Sequence, residues 1–406
     1  MIKKIVASFC LLLSVMTYAQ EGSSSPYSFY GIGDVRFKGT TEARSMGGIA
    51  VEQDSIHINL ENPASFANLK LTSFTVGGTY NTTTMKTDAA SEKARRTTLD
   101  YMALGLPLGK FGVGFGIIPY SSVGYKIRNI YGDDLEKTAT LTSTGGVNKV
   151  FLGLGYKITP KFNIGVDVNY NFGVISIVNL ETNNNIQSGT RETNTSNLSG
   201  VNFNIGSMYQ TKISKKLSVF SSVNYSLSND LKSKNTRLIE TATVPETIDQ
   251  PDRTISFGSK ISLSAGIGQA RKWLVGGKLV FQEATDLSNN YNESPNVTYG
   301  RAGSASIGGY YIPDYGSYSN YLKRIVYRGG FKYERTGLII RSEAIDNVGF
   351  TMGVGLPISG TFSNMNIGFE IGKKGTLSSG LVQENYANIS IGLSLNDKWF
   401  EKRKFN

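Results

Sequence analysis

Residues 162–174 alternate between apolar and polar side chains without a break. The apolar members are Phe162, Ile164, Val166, Val168, Tyr170, Phe172 and Val174, and Asn163, Gly165, Asp167, Asn169, Asn171 and Gly173 lie between them. Successive side chains of a strand point to opposite faces, so this segment predicts a strand with one apolar and one wet face. It exceeds the roughly 9–11 residues that a tilted strand needs to cross a bilayer. With similar segments elsewhere, it predicts the wall of a transmembrane β-barrel.

The first 19 residues have the pattern of a secretory signal peptide. A basic start precedes an apolar run over residues 5–15, and a small-x-small ending follows at 17–19. The apolar run is too short for a spanning helix, which needs about 20 residues. Cys10 lies inside this run and not at the cleavage point, which disfavours a lipid anchor. We therefore expect residues 1–19 to be removed on export.

The composition of the exported chain excludes several classes of protein. Without Lys3 and Lys4, 40 bases face 31 acids, a net charge of +9, and no cysteine remains. A disulfide framework and a thiolate metal site are therefore excluded. The bases are scattered among loops and turns. We interpret them as solvated rims near membrane lipids and lipopolysaccharide, because an exported chain is not expected to meet nucleic acid.

About fourteen segments alternate with period two. Their approximate spans are 69–81, 96–108, 111–127, 146–158, 161–180, 196–212, 216–229, 252–268, 272–284, 319–334, 337–344, 347–358, 361–373 and 383–396. An exported chain without apolar helices can span a membrane only as a closed barrel, because hydrocarbon leaves no backbone polar group solvated. The fold class predicted is all-β, a transmembrane antiparallel β-barrel over residues 69–406.

Tight turns alternate with longer polar loops along these segments. The turns lie near 109–110, 159–160, 214–216, 270–271, 335–336 and 358–360, and the loops near 82–95, 128–145, 181–195, 230–251, 285–318 and 374–382. Outer-membrane barrels have short periplasmic turns and longer extracellular loops, so both termini are predicted to be periplasmic in a Gram-negative bacterium. A secreted β-sandwich is the alternative, but it gives no reason for loops to be long at one edge only.

Residues 20–68 do not alternate and precede the first strand. Tyr27, Phe29 and Tyr30, with Gly, Asn and Pro turn chemistry, favour a folded hatch over a disordered tail. Within this segment, Met46-Gly47-Gly48, Asp54-Ser55 and Asn62-Pro63-Ala64 resemble the N-terminal signature of the FadL/TodX-type outer-membrane transport proteins.

The resemblance implies a fourteen-stranded barrel with an N-terminal hatch in the lumen, which passes fatty acids and other hydrophobic compounds. It implies hatch-motif roles for Gly47, Gly48 and the triplet Asn62, Pro63 and Ala64. The chain departs from the family at residues 56–61, where the family tends to be Ala-rich and aromatic.

Pro119 lies in the interior of the third strand, where proline removes a hydrogen bond of the ladder. The sequence therefore predicts a break through Pro119, Tyr120, Ser121 and Ser122. In the FadL-like family a kink in the third strand opens a window from the lumen to the membrane, so these residues are a candidate lateral gate. A simple bulge near the rim is the alternative.

The predicted loop 285–318 is rich in Gly, Ser and Tyr. Tyr310, Tyr311, Tyr315 and Tyr318 make it a candidate extracellular loop for a partner or ligand, with a solvated loop beside an aromatic girdle as the alternative. His57 is the only histidine, and no G-x-S-x-G motif accompanies it. We expect no enzyme activity, no metal site and no cofactor.

Two functions stay open. The first is a passive channel for hydrophobic compounds, which would leave sideways near Pro119. The second is a non-transporting subunit of an outer-membrane protein secretion or barrel-assembly machine, as the resemblance to PorV-like relatives implies. The Asn-, Ser- and Gly-rich polar faces of the fifth and eighth strands favour the second, because they are unlike an apolar pocket. A general porin is disfavoured by the hatch.

Overall fold

The computed structural model describes residues 23–35, 38–132, 136–185, 189–241, 245–285, 287, 296–317 and 319–398. The helical elements are η1 (Pro26–Phe29), α1 (Thr41–Arg44), η2 (Pro63–Asn68), η3 (Tyr321–Arg324) and η4 (Ser378–Gly380). Within these ranges no helix is long and apolar enough to cross a membrane. The predicted signal peptide and Tyr318 lie outside the described residues.

The strands form one antiparallel sheet that closes on itself. They are β1 (Asp34–Val35), β2 (Thr72–Lys86), β3 (Ser91–Leu108), β4 (Phe111–Pro119), β5 (Ser121–Tyr131), β6 (Lys137–Thr159), β7 (Phe162–Asn183), β8 (Thr190–Lys212), β9 (Ser218–Ser226), β10 (Asn229–Glu240), β11 (Glu246–Phe257), β12 (Lys260–Gln269), β13 (Trp273–Gln282), β14 (Val297–Tyr299), β15 (Ala302–Tyr311), β16 (Val326–Ile340), β17 (Glu343–Pro357), β18 (Asn364–Lys374) and β19 (Gln383–Asp397).

The barrel has fourteen strands, as the alternation predicts. β19 pairs with β2 along its whole length, from Gln383 opposite Lys86 to Asp397 opposite Thr72, which closes the wall. Three barrel strands are each split into two pieces, namely β4 with β5, β9 with β10, and β11 with β12. The short strands β1 and β14 are additions to the wall. The predicted fold class is confirmed.

The two faces of β7 point in the directions expected of a membrane barrel. Val166 and Tyr170 on the apolar face are 52% and 49% exposed on the outer surface, whereas Asn163 and Asn169 are buried toward the lumen. Only an apolar outer face is stable against hydrocarbon, so the polar residues must face inward. The alternation that predicts the fold therefore also sorts lipid-facing from lumen-facing side chains.

Two strand predictions after residue 285 are wrong. Residues 302–311 form β15 inside the predicted loop, and the predicted strands 319–334 and 337–344 largely belong to the one strand β16. The predicted turn at 335–336 is instead an irregularity within β16, where Gly337 has a φ of +85°. β15 is rich in Gly and Ser, so it carries little hydrophobic periodicity. The two errors cancel in the strand count.

Four predicted loops are instead mostly strand extensions. The connections between β2 and β3, β5 and β6, β7 and β8, and β10 and β11 shrink to residues 87–90, 132–136, 184–189 and 241–245. β6, β7 and β8 have 22–23 residues each, about twice what a bilayer crossing needs. Outside the membrane both faces of a strand are wet, so the alternation that reveals a strand is lost. We call this the hairpin end of the barrel, and the opposite end, which holds the turns at 109–110 and 160–161, the turn end.

Candidate functional site in the barrel lumen

Residues 23–71, the N-terminal segment, pack against the inner wall, and Asn62 is one of their main attachments. The Asn62 side chain accepts a hydrogen bond from the Ala64 N–H at 3.0 Å and so caps η2. Its Nδ2 donates to the Ser222 hydroxyl at 2.8 Å and to the carbonyl oxygens of Ser207 and Val223 at 3.1 and 3.0 Å. The predicted motif residues Asn62, Pro63 and Ala64 therefore lie together, buried against β8 and β9.

Glycines on the inner wall allow η2 to approach the strand backbone closely. A Cβ atom added at Gly165 of β7 would overlap the backbone of Pro63 and Ala64, and one at Gly206 of β8 would overlap the Asn62 side chain. A larger residue at either position would force the N-terminal segment away from the wall. Gly165 and Gly206 thus form the surface on which residues 62–64 pack, and we call these two glycines the glycine seat.

The second predicted motif ends the helix α1. Gly47 has a φ of +70°, a conformation that favours glycine, and its N–H donates to the Thr351 hydroxyl of β17 at 3.0 Å. The Gly48 N–H donates back to the Ala43 carbonyl at 2.9 Å. The pair therefore turns the chain at the end of α1 and attaches it to the wall on the side of the barrel opposite η2.

Ion pairs between the N-terminal segment and the wall were not predicted from the sequence. Arg44 of α1 contacts Asp100 of β3 at 2.8 Å and Glu370 of β18 at 3.8 Å, and Lys332 of β16 also pairs with Glu370. The side chains of Arg44, Glu370 and Lys332 are each at most 11% exposed. The sequence signal that could have indicated these ion pairs is the presence of charged residues, Lys332 and Glu370, at inward-facing positions of β16 and β18.

Three further ion pairs follow the same scheme, each with one partner in the N-terminal segment. They join Lys38 to Glu334 at 3.0 Å, Asp34 to Lys374 at 2.5 Å, and Glu61 to Lys278 at 2.6 Å. Charges taken out of bulk water need such partners, because an unpaired buried charge is costly. The N-terminal segment is thus held by complementary charges at several points around the lumen.

The apolar cluster on the inner wall of the hairpin half is filled by the chain itself. Ile32 of the N-terminal segment is fully buried there against inward side chains of six strands, among them Val123, Ile175 and Leu231. Phe29 packs against the same cluster. An apolar ligand entering this region would therefore have to displace Ile32 and Phe29.

A cavity of about 310 Å³ lies beside this cluster and is lined by polar and apolar side chains alike. Its polar walls include Lys149, Asn204 and Lys260, and its apolar walls include Tyr120, Phe257 and Leu287. Small-molecule sites are usually lined by apolar and aromatic side chains with few polar groups. The cavity therefore presents both charged groups and apolar surface to whatever occupies it.

The wall is interrupted at the predicted break in the third strand. β4 ends at Pro119, the Tyr120 N–H donates to the Val147 carbonyl at 2.8 Å, and β5 begins at Ser121. β3 pairs with β4 only over Met102–Leu108, and residues 91–101 of β3 pair with no described strand on that side. Ser121 and Ser122 instead pair with β1 of the N-terminal segment. A gap therefore separates β3 from β5 in the hairpin half.

The predicted tyrosine loop is divided by β15. Tyr310 and Tyr311 lie in that strand, and Tyr315 follows in the connection to β16, at the turn end and not among the long loops. Tyr310 faces inward and donates to the Glu52 carboxylate at 2.7 Å. The prediction of a single loop is thus corrected, because the missed strand β15 divides it and brings Tyr315 out at the turn end, opposite the hairpin end.

His57 and Asp54 form a pair at the turn end, outside the membrane-spanning strands. His57 Nδ1 lies 2.7 Å from the Asp54 carboxylate. Burial disfavours the charged imidazole, but the charge of Asp54, the hydrogen bond to it and the charge of Glu42 together outweigh burial and raise the pKa of His57. Burial likewise opposes ionisation of Asp54, but His57 and backbone N–H groups lower its pKa to about 2. Asp54 is 40% exposed, so water screens part of the attraction.

The pair predicts a measurable pH dependence. The Asp54 contribution to stability is present above its unfolded pKa of about 3.9 and is lost as the pH falls toward 2, and the His57 contribution is present below about 6.5 and is lost as the pH rises through the folded pKa. We expect imidazole NMR of this single histidine to report a pKa above that of a free histidine. Asp54→Asn should lower it, and an unchanged value in that variant would contradict the pairing.

Comparison with known proteins supports both the fold and a family. The sequence matches the BamG family over residues 1–406. The chain belongs to the BamG family. Among curated protein sequences no match was found.

The BamG-family chain is similar in structure to several outer-membrane barrels. The Pseudomonas putida toluene transporter TodX has a TM-score of 0.57 at 14% identity, covering 90% of this chain and 100% of its own. The Ralstonia pickettii toluene transporter TbuX has 0.56 at 15%, covering 88% and 98%. A Pseudomonas aeruginosa FadL homologue has 0.57 at 11%, covering 89% and 99%. At these identities the likeness shows the fold and not the ligand.

Proposed function

We propose that this BamG-family barrel is a non-transporting subunit of an outer-membrane machine for barrel assembly or protein secretion, with both termini in the periplasm. The occupied apolar cluster and the charged attachments of the N-terminal segment carry the proposal. Ile32 occupies the apolar cluster, and ion pairs from Asp34, Lys38, Arg44 and Glu61 hold the N-terminal segment as a hatch. The family name, BamG, is consistent with a role in barrel assembly.

Purification of the tagged chain from its own membrane in mild detergent tests this proposal. We expect other outer-membrane or periplasmic proteins to co-purify in stoichiometric amounts, and no fatty-acid-like molecule to be bound, by mass spectrometry of proteins and lipids. A lone barrel that carries a hydrophobic compound would contradict the subunit role.

The gap between β3 and β5 favours a second candidate, a passive channel for hydrophobic compounds such as fatty acids. The solved structures of similar fold include toluene transporters, and hydrocarbon is a better solvent than water for such ligands. In this scheme a ligand would leave sideways through a lateral gate at Pro119, Tyr120, Ser121 and Ser122. Membrane lipids and lipopolysaccharide would surround the exit.

Pro119→Ala tests the channel. Restoring a backbone donor at the end of β4 should favour continuous pairing and reduce uptake of a fluorescent fatty acid, with the barrel still folded and heat-modifiable. Pro357→Ala at the end of β17 is the matched control and should leave uptake unchanged. Equal uptake by both variants and the wild type would rule out the gate.

We further propose that the chain is not an enzyme. Nucleophilic catalysis needs a nucleophile beside a general base. In the described part of the chain, His57 Nε2 has no hydrogen-bond partner, and its Nδ1 is engaged by Asp54.

A further inference from the structure

One connection at the turn end is far longer than its neighbours. The others are residues 109–110, 160–161, 213–217, 270–272 and 358–363, whereas β15 and β16 are joined by residues 312–325. Tyr311 and Tyr327 are directly paired across these two strands, so a short turn could have closed the hairpin. The β15–β16 loop (residues 312–325) is therefore an excursion that the barrel itself does not need.

This loop is internally braced. Ile312 and Ile325 are buried at its base, and the Ile312 N–H donates to the Lys272 carbonyl at 2.7 Å. The Asp314 N–H donates to the Lys323 carbonyl at 2.8 Å, which ties the two ends together in the manner of an Ω-loop. The Asn320 side chain caps η3 by accepting from the Leu322 N–H at 3.0 Å. Its shape is thus set before any partner binds.

The braced loop presents apolar and aromatic side chains to solvent. Leu322 is 62% exposed, and Tyr315 and Tyr321 are 46% and 41% exposed. Arg324 donates to the Ser359 hydroxyl at 3.2 Å and so joins the loop to the neighbouring turn, where Phe362 is 59% exposed. We call Tyr315, Tyr321, Leu322 and Phe362 the rim surface. Tyrosine in a rigid setting offers contact area at low entropic cost.

Two arginines lie against the tyrosines of the rim surface. Arg271 lies over the Tyr315 ring at 5.2 Å and Arg324 over the Tyr321 ring at 5.3 Å, with Lys272 and Lys323 nearby in the chain. Asp314 is the acid within the described loop, and its carboxylate already accepts from the Gly316 N–H at 3.1 Å. A partner that complements this surface carries carboxylates around an apolar contact.

We propose that the rim surface docks the acidic face of another protein subunit at the turn end. The inference rests on the proposed subunit function and adds the surface at which the partner subunit binds. A protein is favoured over the membrane because Tyr311 and Tyr327, at the strand ends, already supply interfacial aromatics, and η3 adds a braced surface beyond them.

The test compares two full-length variants purified from native membranes in mild detergent. Tyr321→Ser with Leu322→Ser should reduce the stoichiometric partner by about tenfold or more, because central aromatic and apolar anchors dominate binding. Ile213→Ser is the matched control, since Ile213 is 61% exposed on another turn at the same end, and it should retain the partner. Heat-modifiability in gels confirms that both variants are folded.

A photo-crosslinker at position 322 identifies what touches the surface. We expect Leu322→benzoylphenylalanine to cross-link to an acidic segment of the partner, and Lys323→Glu to weaken co-purification. Full retention of the partner by the Tyr321→Ser, Leu322→Ser variant, or cross-links to lipid alone, would overturn the docking site and leave the subunit function standing. A wild-type barrel without any stoichiometric partner would overturn both.

Discussion

Replacing Glu370 with alanine is expected to lower the free energy of unfolding by about 3–5 kcal/mol, the cost typical of breaking a buried ion pair. Glu370 is 6% exposed and is shared by Arg44 of the N-terminal segment and Lys332 of the wall. It also accepts from the Tyr386 hydroxyl at 3.1 Å. The substitution would leave two cations facing each other in the lumen without their common carboxylate.

Urea unfolding in phospholipid vesicles, followed by the fluorescence of the two tryptophans, measures this effect. Arg335→Ala is the control, because Arg335 is 61% exposed and lies 3.8 Å from Asp346. An exposed pair of this kind contributes about 0–1 kcal/mol. If both variants lose equally little stability, the lumenal network does not hold the N-terminal segment.

Gly165→Ala is expected to release the N-terminal segment without unfolding the barrel. The new methyl group would overlap the backbone of Pro63 and Ala64, and neither can yield as a flexible side chain would. Overpacking of this kind costs about 1–3 kcal/mol, which corresponds to a roughly 5- to 150-fold larger population of the displaced segment. Trypsin cleavage after Arg44 should accelerate by a similar factor, and conductance in planar bilayers should rise.

Gly277→Ala provides the comparison, since it also adds a methyl group within a wall strand. The nearest neighbour of that methyl group is the Ser306 carbonyl oxygen at 3.5 Å, an ordinary contact. This variant should match the wild type in cleavage and conductance. Slow cleavage of both variants would mean that the methyl group at position 165 does not release the N-terminal segment. The glycine seat would then have no role in holding that segment.

The strands that cross the membrane were predictable because lipid on one side and a wet lumen on the other impose period two. The β7 alternation identifies its lipid-facing and lumen-facing residues correctly. Where that contrast disappears, prediction fails. β15 has Gly and Ser at many positions, and the extensions of β6 and β8 are wet on both faces, so the sequence pattern predicts loops at these positions.

The candidate site was predictable only where backbone chemistry leaves a local mark. Gly47 and Asn62 are recognisable because one needs a positive φ and the other caps a helical turn. The local sequence around Gly47 and Asn62 does not indicate which strand of the wall each residue contacts. The partners of Arg44 lie 56 and 326 residues away along the chain, and only barrel closure brings Asp100 and Glu370 to it.

The sequence by itself determined that this chain is a membrane barrel of fourteen strands, because in each crossing strand the residues that face lipid are apolar and those that face the lumen are polar. It also determined the break at Pro119, because a proline lacks the N–H that a ladder requires. The tertiary structure alone decided that Ile32 fills the apolar cluster, that charges secure the N-terminal segment, and that the tyrosines emerge at the turn end. These features depend on contacts between distant parts of the chain, which exist only once the barrel closes.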